Sequence, residues 1–206
     1  MSVDFKSSET RENLMRAFAG ESQARNRYTM AADIACQQKQ EIVAALFRFT
    51  ANQERAHAQV FYNHLKEFSG ENIEITNAAY PVNVSQDLIE LLNFAKHNEY
   101  EEANDVYTTF SAKAKEEGFA KVAYAFAEIA RVEQTHCDRF EKMAEMLSES
   151  KLYQSSSSST WICSFCGYIY EGEKVPDKCP VCTYDQGYFI PIELLSCKDF
   201  LAGKKA

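Results

Sequence analysis

Apolar residues over the first 150 positions recur at the i, i+3, i+4, i+7 spacing of a helical face, in four long runs. The first, over residues 8–39, carries Leu14, Ala17, Phe18, Ala24, Tyr28, Ala31 and Ala35. The second, over 40–69, carries Val43, Leu46, Phe47, Phe61, Leu65 and Phe68, with Gly70 as a stop. Residues 70–84 lose the period and contain Pro81, which predicts a long crossover. Ser85 is the expected N-cap of a third helix to residue 117, with Leu88, Leu91, Leu92, Ala95, Val106 and Phe110 inward and Gly118 as its break. The fourth, over 119–148, carries Phe119, Val122, Phe126, Ile129, Phe140, Met143 and Leu147. Two helical hairpins joined by a long crossover predict a mainly α, four-helix bundle over residues 1–150.

The stripes are interrupted in phase by acids and histidines: Glu21 on the first, Glu54 and His57 on the second, Glu99 and Glu102 on the third, Glu133 and His136 on the fourth. Each lies near the middle of its helix, so capping or solvation does not account for the set. A buried ionised carboxylate without a partner costs several kcal/mol, and five in one place are tolerable only around bound cations. Carboxylates with one imidazole per half-site suit iron or manganese better than zinc. The i, i+3 spacing of Glu54-x-x-His57 and Glu133-x-x-His136 puts both donors on one face, a turn apart. Glutamate from each of two helices plus Glu-x-x-His from each of the other two is the donor pattern of di-iron and di-manganese carboxylate bundles.

The two halves are unequal. Glu54 and Glu133, His57 and His136, and Tyr28 and Tyr107 are each 79 positions apart, but Glu21 and Glu99 only 78. One residue has been added between Glu99 and Tyr107, and an insertion inside a continuous helix predicts a π-bulge. Glu102 has Ala24 as its counterpart, so the second half offers a surplus carboxylate. We expect Glu102 and His57 to exchange on one iron as its oxidation state changes, the ferric ion favouring the anionic oxygen. Tyr28 and Tyr107 are expected to donate hydroxyls to the carboxylates. His64, without a carboxylate partner in the repeat, is read as a satisfied core or end-of-bundle histidine, and His97 should face solvent.

The rest of the chain differs in kind. Residues 154–160, QSSSSST, are expected to be a flexible tether within a linker over 151–160. Beyond it, Cys163-x-x-Cys166 and Cys179-x-x-Cys182 make a four-thiolate site for a single iron or zinc, packed by Trp161, Phe165, Tyr168, Tyr170, Tyr188 and Phe189 in a small domain over 161–206. Cys36, Cys137 and Cys197 are read as small buried or incidental residues, and the tail after Ile192 carries no signal. Seven cysteines, with no leader-like apolar run in MSVDFKSSETREN, favour metal ligation in a reducing cytoplasm over disulfides. A formal charge of −8 leaves no basic footprint for nucleic acid, and no stretch is apolar enough for a membrane span.

The run Ala19-Gly20-Glu21-Ser22-Gln23-Ala24-Arg25-Asn26-Arg27-Tyr28, the two Glu-x-x-His motifs, the Glu99-x-x-Glu102 pair and the trailing double Cys-x-x-Cys together resemble the rubrerythrin family, over about residues 18–192. The resemblance implies a ferritin-like bundle with a non-haem di-iron site and a rubredoxin-like module with short β-strands holding one iron. It makes Glu21, Glu54, His57, Glu99, Glu102, Glu133 and His136 the di-iron ligands and Cys163, Cys166, Cys179 and Cys182 the mononuclear site. One departure is that Thr183 stands where the second knuckle would carry glycine, as Gly167 does in the first. The implied activity is reduction of hydrogen peroxide to water in oxidative stress defence. Glu102 and His57, with Tyr28 and Tyr107, are the candidate catalytic groups. No G-x-G-x-x-G is present, so electrons must come from a separate NAD(P)H-dependent reductase or rubredoxin through the thiolate iron. A helix of about 30 residues is about 45 Å long, which sets the module some 20 Å from the bundle centre, so either the serine tether folds the module back or the module serves a partner's bundle in a head-to-tail homodimer, the arrangement that the resemblance implies. The alternative is a ferritin-like iron-oxidising or iron-buffering protein with a structural zinc module.

Overall fold

The computed structural model describes residues 3–76 and 78–192. Cys197 and the tail after Ile192 lie outside them. Helix α1 (Glu9–Gln37) starts at Ser8, whose hydroxyl accepts from the Arg11 amide. A turn with Lys39 at φ +59° leads into α2 (Glu41–His64). The crossover follows, and α3 (Leu88–Glu101) is capped by Asp87, which accepts from the Ile89 and Glu90 amides at 2.7 and 3.1 Å. The expected cap, Ser85, sits two residues too early and accepts from the Asp87 amide instead. Asp87 wins because an ionised side chain at the first turn meets both free amides and the positive helix end.

The third bundle helix is continuous but not regular. A π-helical turn, Glu102–Val106, joins α3 to α4 (Tyr107–Glu116). It falls inside the Glu99–Tyr107 interval, where the repeat arithmetic requires one extra residue. Helix α5 (Ala120–Ser148) completes the bundle. Two apolar plugs fill its ends. One gathers Tyr28, Phe47, Leu91, Leu92 and Phe140; the other gathers Leu14, Phe61, Tyr107, Val122 and Phe126. The polar slab of acids and histidines lies between them.

The serine run is not a flexible tether. It belongs to β1 (Gln154–Cys163), which pairs antiparallel with β2 (Ile169–Lys174) and with β3 (Phe189–Pro191), giving a three-stranded sheet in the order β2-β1-β3. Gln154 faces Lys174 and Ser159 faces Gly172, so residues 155–158 bulge opposite a single residue. Trp161, Cys163, Val175, Cys179 and Phe189 form the small core. The module docks on the end of its own bundle. Lys39 pairs with Asp185 at 2.9 Å, Tyr153 donates to Gln40 and Tyr188 approaches Glu41. Gly187 permits the closest approach, since a Cβ there would fall 1.6 Å from the Lys39 carbonyl oxygen. No described helix is long and apolar enough to cross a membrane.

Candidate metal centres

Four helices bring Glu21, Glu54, Glu99, Glu133, His57 and His136 to one slab, and all but His57, which is 8% exposed, are fully buried. They divide into two four-donor sets. Glu21, Glu54, His57 and Glu133 form one; Glu54, Glu99, Glu133 and His136 form the other, and within each set the donor atoms lie within 4.8 Å of one another. Glu54 and Glu133 belong to both. Nδ1 of His57 lies 2.8 Å from Glu133 and 3.5 Å from Glu54, while Nδ1 of His136 lies 2.7 Å from Glu133 and 3.0 Å from Glu54. Two carboxylates facing both imidazoles, with one carboxylate and one imidazole remaining to each side, is the ligand count of a dinuclear centre with two bridges.

The polar atoms fit cations better than one another. Both carboxylate oxygens of Glu54 and of Glu133, Oε2 of Glu21 and Nδ1 of His57 are buried without an aligned hydrogen-bond partner among the described residues. Lone pairs therefore converge on the centre, a costly arrangement that metal ions relieve. The electrostatics agree. Burial and the Glu133 and Glu54 charges push the Glu21 carboxyl well up, and burial and the Glu54 charge do the same to Glu99. Burial also opposes ionisation of Glu54, but the His136 and His57 rings hold its carboxyl well below the usual range. Against burial, Glu133, Glu54 and Glu99 push the His136 imidazole up to about 12.

Tyr28 and Tyr107 tie the halves together crosswise. Tyr28 on α1 donates to Glu99 on α3, and Tyr107 on α4 donates to Glu21 on α1. Glu102 stands apart. It is half-buried on the π turn and lies outside both donor sets, and burial with the neighbouring Glu99 charge pushes its carboxyl well up.

Two residues were not anticipated. Gln53 Oε1 sits 3.0 Å from Nε2 of His136 and accepts from Arg139 at 2.9 Å, which fixes the ring with Nδ1 toward the carboxylates. The repeat places Val132 opposite Gln53, so the sequence offered no signal. His57 has no such anchor among the described residues. Away from the centre, His64 is half-buried at the end of α2, and His97 is exposed and pairs with Glu101. Cys137 is buried; the Cys36 thiol lies beside Arg48.

In the module, Sγ of Cys163 lies 3.7 Å from that of Cys182, and Sγ of Cys166 lies 3.6 Å from that of Cys179. A tetrahedron with bonds of about 2.3 Å has edges of about 3.8 Å, so the four sulfurs stand at ligating separation. The knuckles repeat one geometry: the Gly167 amide donates to Cys163 O and the Thr183 amide to Cys179 O, both at 2.8 Å.

A family model described as Rubrerythrin matches residues 12–144 and again 90–158, and a model of the rubrerythrin rubredoxin-like domain matches 161–190. The chain belongs to the rubrerythrin family. It is 43% identical over 185 residues to the rubrerythrin of Clostridium perfringens (strain 13 / Type A), covering 89% of this chain and 94% of that one. Its structure is similar to that of nigerythrin in a mixed-valence state, with a TM-score of 0.59, 28% identity and coverage of 92% and 91% of the two chains. Likeness to a Mycobacterium tuberculosis bacterioferritin, at 19% identity and a TM-score of 0.61 over 73% of this chain and 91% of that one, shows the bundle fold alone. As a rubrerythrin-family chain it carries a di-iron carboxylate–histidine centre in the bundle and a rubredoxin-like four-cysteine metal centre in the module.

Proposed function

We propose that the chain is a peroxidase that reduces hydrogen peroxide to water in oxidative stress defence. The observation that carries this reading is the pair of buried donor sets sharing Glu54 and Glu133, with Glu102 held beside them by the π turn. Membership of the family supports a peroxidase-type oxidoreductase. The expected ligands are Glu21, Glu54, His57, Glu99, Glu133 and His136, with Glu102 in one state. When bound, the iron pair supplies the two electrons that peroxide reduction needs, together with Lewis acidity. The chain's own groups do the rest. Burial keeps a proton on Glu102, which can be delivered to an oxygen of peroxide as the O–O bond breaks. Tyr28 and Tyr107 hold Glu99 and Glu21 in place through the cycle. His57 is unanchored and the least buried of the six residues in the two donor sets, which supports its exchange with Glu102; identical ligands in reduced and oxidised crystals would remove that idea.

Electrons would enter through Cys163, Cys166, Cys179 and Cys182 from an external NAD(P)H-dependent reductase or rubredoxin. The module is docked at Lys39, Gln40 and Glu41, and Glu41 to Glu54 spans thirteen helical residues, or about 20 Å. That separation supports a head-to-tail homodimer in which each module serves its partner's bundle, and the free thiols of the four knuckle cysteines support a reducing compartment, the cytoplasm. Monomeric sedimentation with full turnover would argue against the dimer. The function itself is tested by metal analysis with stopped-flow oxidation. About three irons per chain, a red thiolate–iron absorption and faster oxidation by peroxide than by oxygen are expected. Two irons plus one zinc, with no peroxide preference, would favour iron buffering instead.

A further inference from the structure

A cavity of about 480 Å³ opens between α1, the crossover and the π turn. Its inner end reaches Glu102 and Tyr107, so it leads directly to the groups beside the di-iron centre. Hydrogen peroxide is little larger than water, whose share of liquid volume is about 30 Å³. The cavity is therefore more than tenfold larger than that substrate requires, and it falls within the range of small organic ligand sites.

The wall has the wrong chemistry for peroxide alone. Ala17, Tyr80, Val106 and Phe110 line it with carbon, and the Tyr80 hydroxyl is already committed to the Arg16 carbonyl at 2.9 Å. Hydrogen peroxide, with two donors and four lone pairs, would use only the polar part of the lining, to which Gln23, Asn98 and Thr109 contribute, and gains nothing from the carbon. The mouth also has a sign: Glu101 and Asp105 are exposed at the rim, whereas Arg16, the cation there, is paired with Glu12 at 2.6 Å and hydrogen-bonded to the Thr76 carbonyl. A carboxylate-bearing guest would meet net negative charge.

We propose that this cavity admits neutral organic hydroperoxides, the aryl or alkyl group lying on Ala17, Tyr80, Val106 and Phe110 and the –OOH turned toward Glu102. The inference rests on the peroxidase reading and widens its substrate class. The reaction is ROOH + 2 e⁻ + 2 H⁺ → ROH + H₂O. The O–O bond breaks, the hydroperoxide is reduced to the alcohol, and the two electrons come from the same reductant that serves hydrogen peroxide.

The test uses the full-length, iron-loaded protein with cumene hydroperoxide as substrate and its product, 2-phenyl-2-propanol, as a redox-inert probe of binding by saturation-transfer NMR. We expect turnover of cumene hydroperoxide to the alcohol, saturable binding of the alcohol, and slower turnover of a carboxylate-bearing hydroperoxide of similar size. Filling the cavity from the crossover with Ala79→Trp, and independently from the π turn with Val106→Phe, is expected to weaken alcohol binding and to lower the ratio of kcat/KM for cumene hydroperoxide to that for hydrogen peroxide, each by about tenfold. Hydrogen peroxide turnover without alcohol binding or cumene hydroperoxide reduction would overturn the inference and leave the peroxidase reading standing. Turnover of neither substrate would remove both. Faster turnover of the carboxylate-bearing substrate would overturn its restriction to neutral guests.

Discussion

The two metal centres of this chain are each assembled from two near-copies of a half-site, and they treat their odd residue differently. In the bundle, Glu21, Glu54 and His57 face Glu99, Glu133 and His136 across a shared pair of carboxylates, and the odd residues, Glu102 and the π turn that carries it, stand outside both donor sets. In the module, the knuckles at Cys163–Cys166 and Cys179–Cys182 superpose their hydrogen bonds, and the odd residue, Thr183, takes the same left-handed conformation as its counterpart Gly167, with φ of +65° and +80°. The first asymmetry adds a group that the symmetric pattern lacks. The second leaves the geometry intact and adds only strain. An asymmetry that changes the donor inventory is a candidate for chemistry, whereas one absorbed by the backbone is a matter of stability.

The largest effect should come from attacking what the bundle halves share. Glu133→Ala removes a carboxylate common to both sets, so loss of both bundle irons is expected, with the thiolate iron retained and the helical circular dichroism preserved. A variant that still binds two irons per bundle would mean that Glu133 is not a bridge. The same centre should bind metal with a marked pH dependence. Burial and neighbouring carboxylates keep protons on Glu21 and Glu99, and the acids around His136 keep it protonated up to about 12, so loading at neutral pH must displace protons. Affinity should rise with pH, and calorimetry in buffers of different ionisation enthalpy should register about two or more protons released per chain.

Glu102→Gln breaks the asymmetry itself. Because Glu102 lies outside both sets, the variant should keep its iron. Loss of a positioned proton donor should slow peroxide turnover by roughly 10²- to 10⁴-fold. Iron loss equal to that of Glu133→Ala would make Glu102 a permanent ligand. A smaller effect is expected from Gln53→Leu, which frees the His136 ring and so makes it resemble unanchored His57. Removing such an orienting partner costs about 10- to 100-fold in metal affinity or activity. Iron titration should show the loss at one of the two bundle sites only.

How much of this was readable in the chain follows the same line. The acids and histidines of the two donor sets were legible as candidates because each sits in phase with a 3.6-residue apolar stripe, where an acid needs a reason. The π turn was legible because spacings of 78 and 79 confine the extra residue to the segment between Glu99 and Tyr107. Gln53 and Arg139 were not, since they lie beside the stripe and have no counterpart in the repeat. The serine run misled for a related reason. Serine has little intrinsic preference for strands, and residues 154–160 join β1 because Thr160, Trp161 and Ile162 pair with β2 and carry the bulged segment with them, a tertiary cause that no local window contains. The docking of Gly187 on Lys39 was likewise invisible, being a contact between positions almost 150 residues apart.

Thr183 offers the smallest and cleanest test. A β-branched residue at positive φ costs of order 1–3 kcal/mol, since its Cβ substituents crowd the backbone that glycine leaves open. Glycine relieves that strain but returns about 0.5–1 kcal/mol through the greater entropy of the unfolded chain. The Thr183→Gly variant should therefore be more stable by about 1 kcal/mol, seen as a higher denaturant midpoint for loss of the thiolate-metal absorption. The reciprocal Gly167→Thr should lower that midpoint by a similar amount, because the first knuckle would then carry the strain that the second already bears. Neither change should alter the bundle irons, which lie about 20 Å or more from the docked end of the module. A loss of peroxide turnover in Thr183→Gly at unchanged metal content would contradict the distinction between the two asymmetries, since it would give the threonine a part in electron entry that its backbone role does not predict.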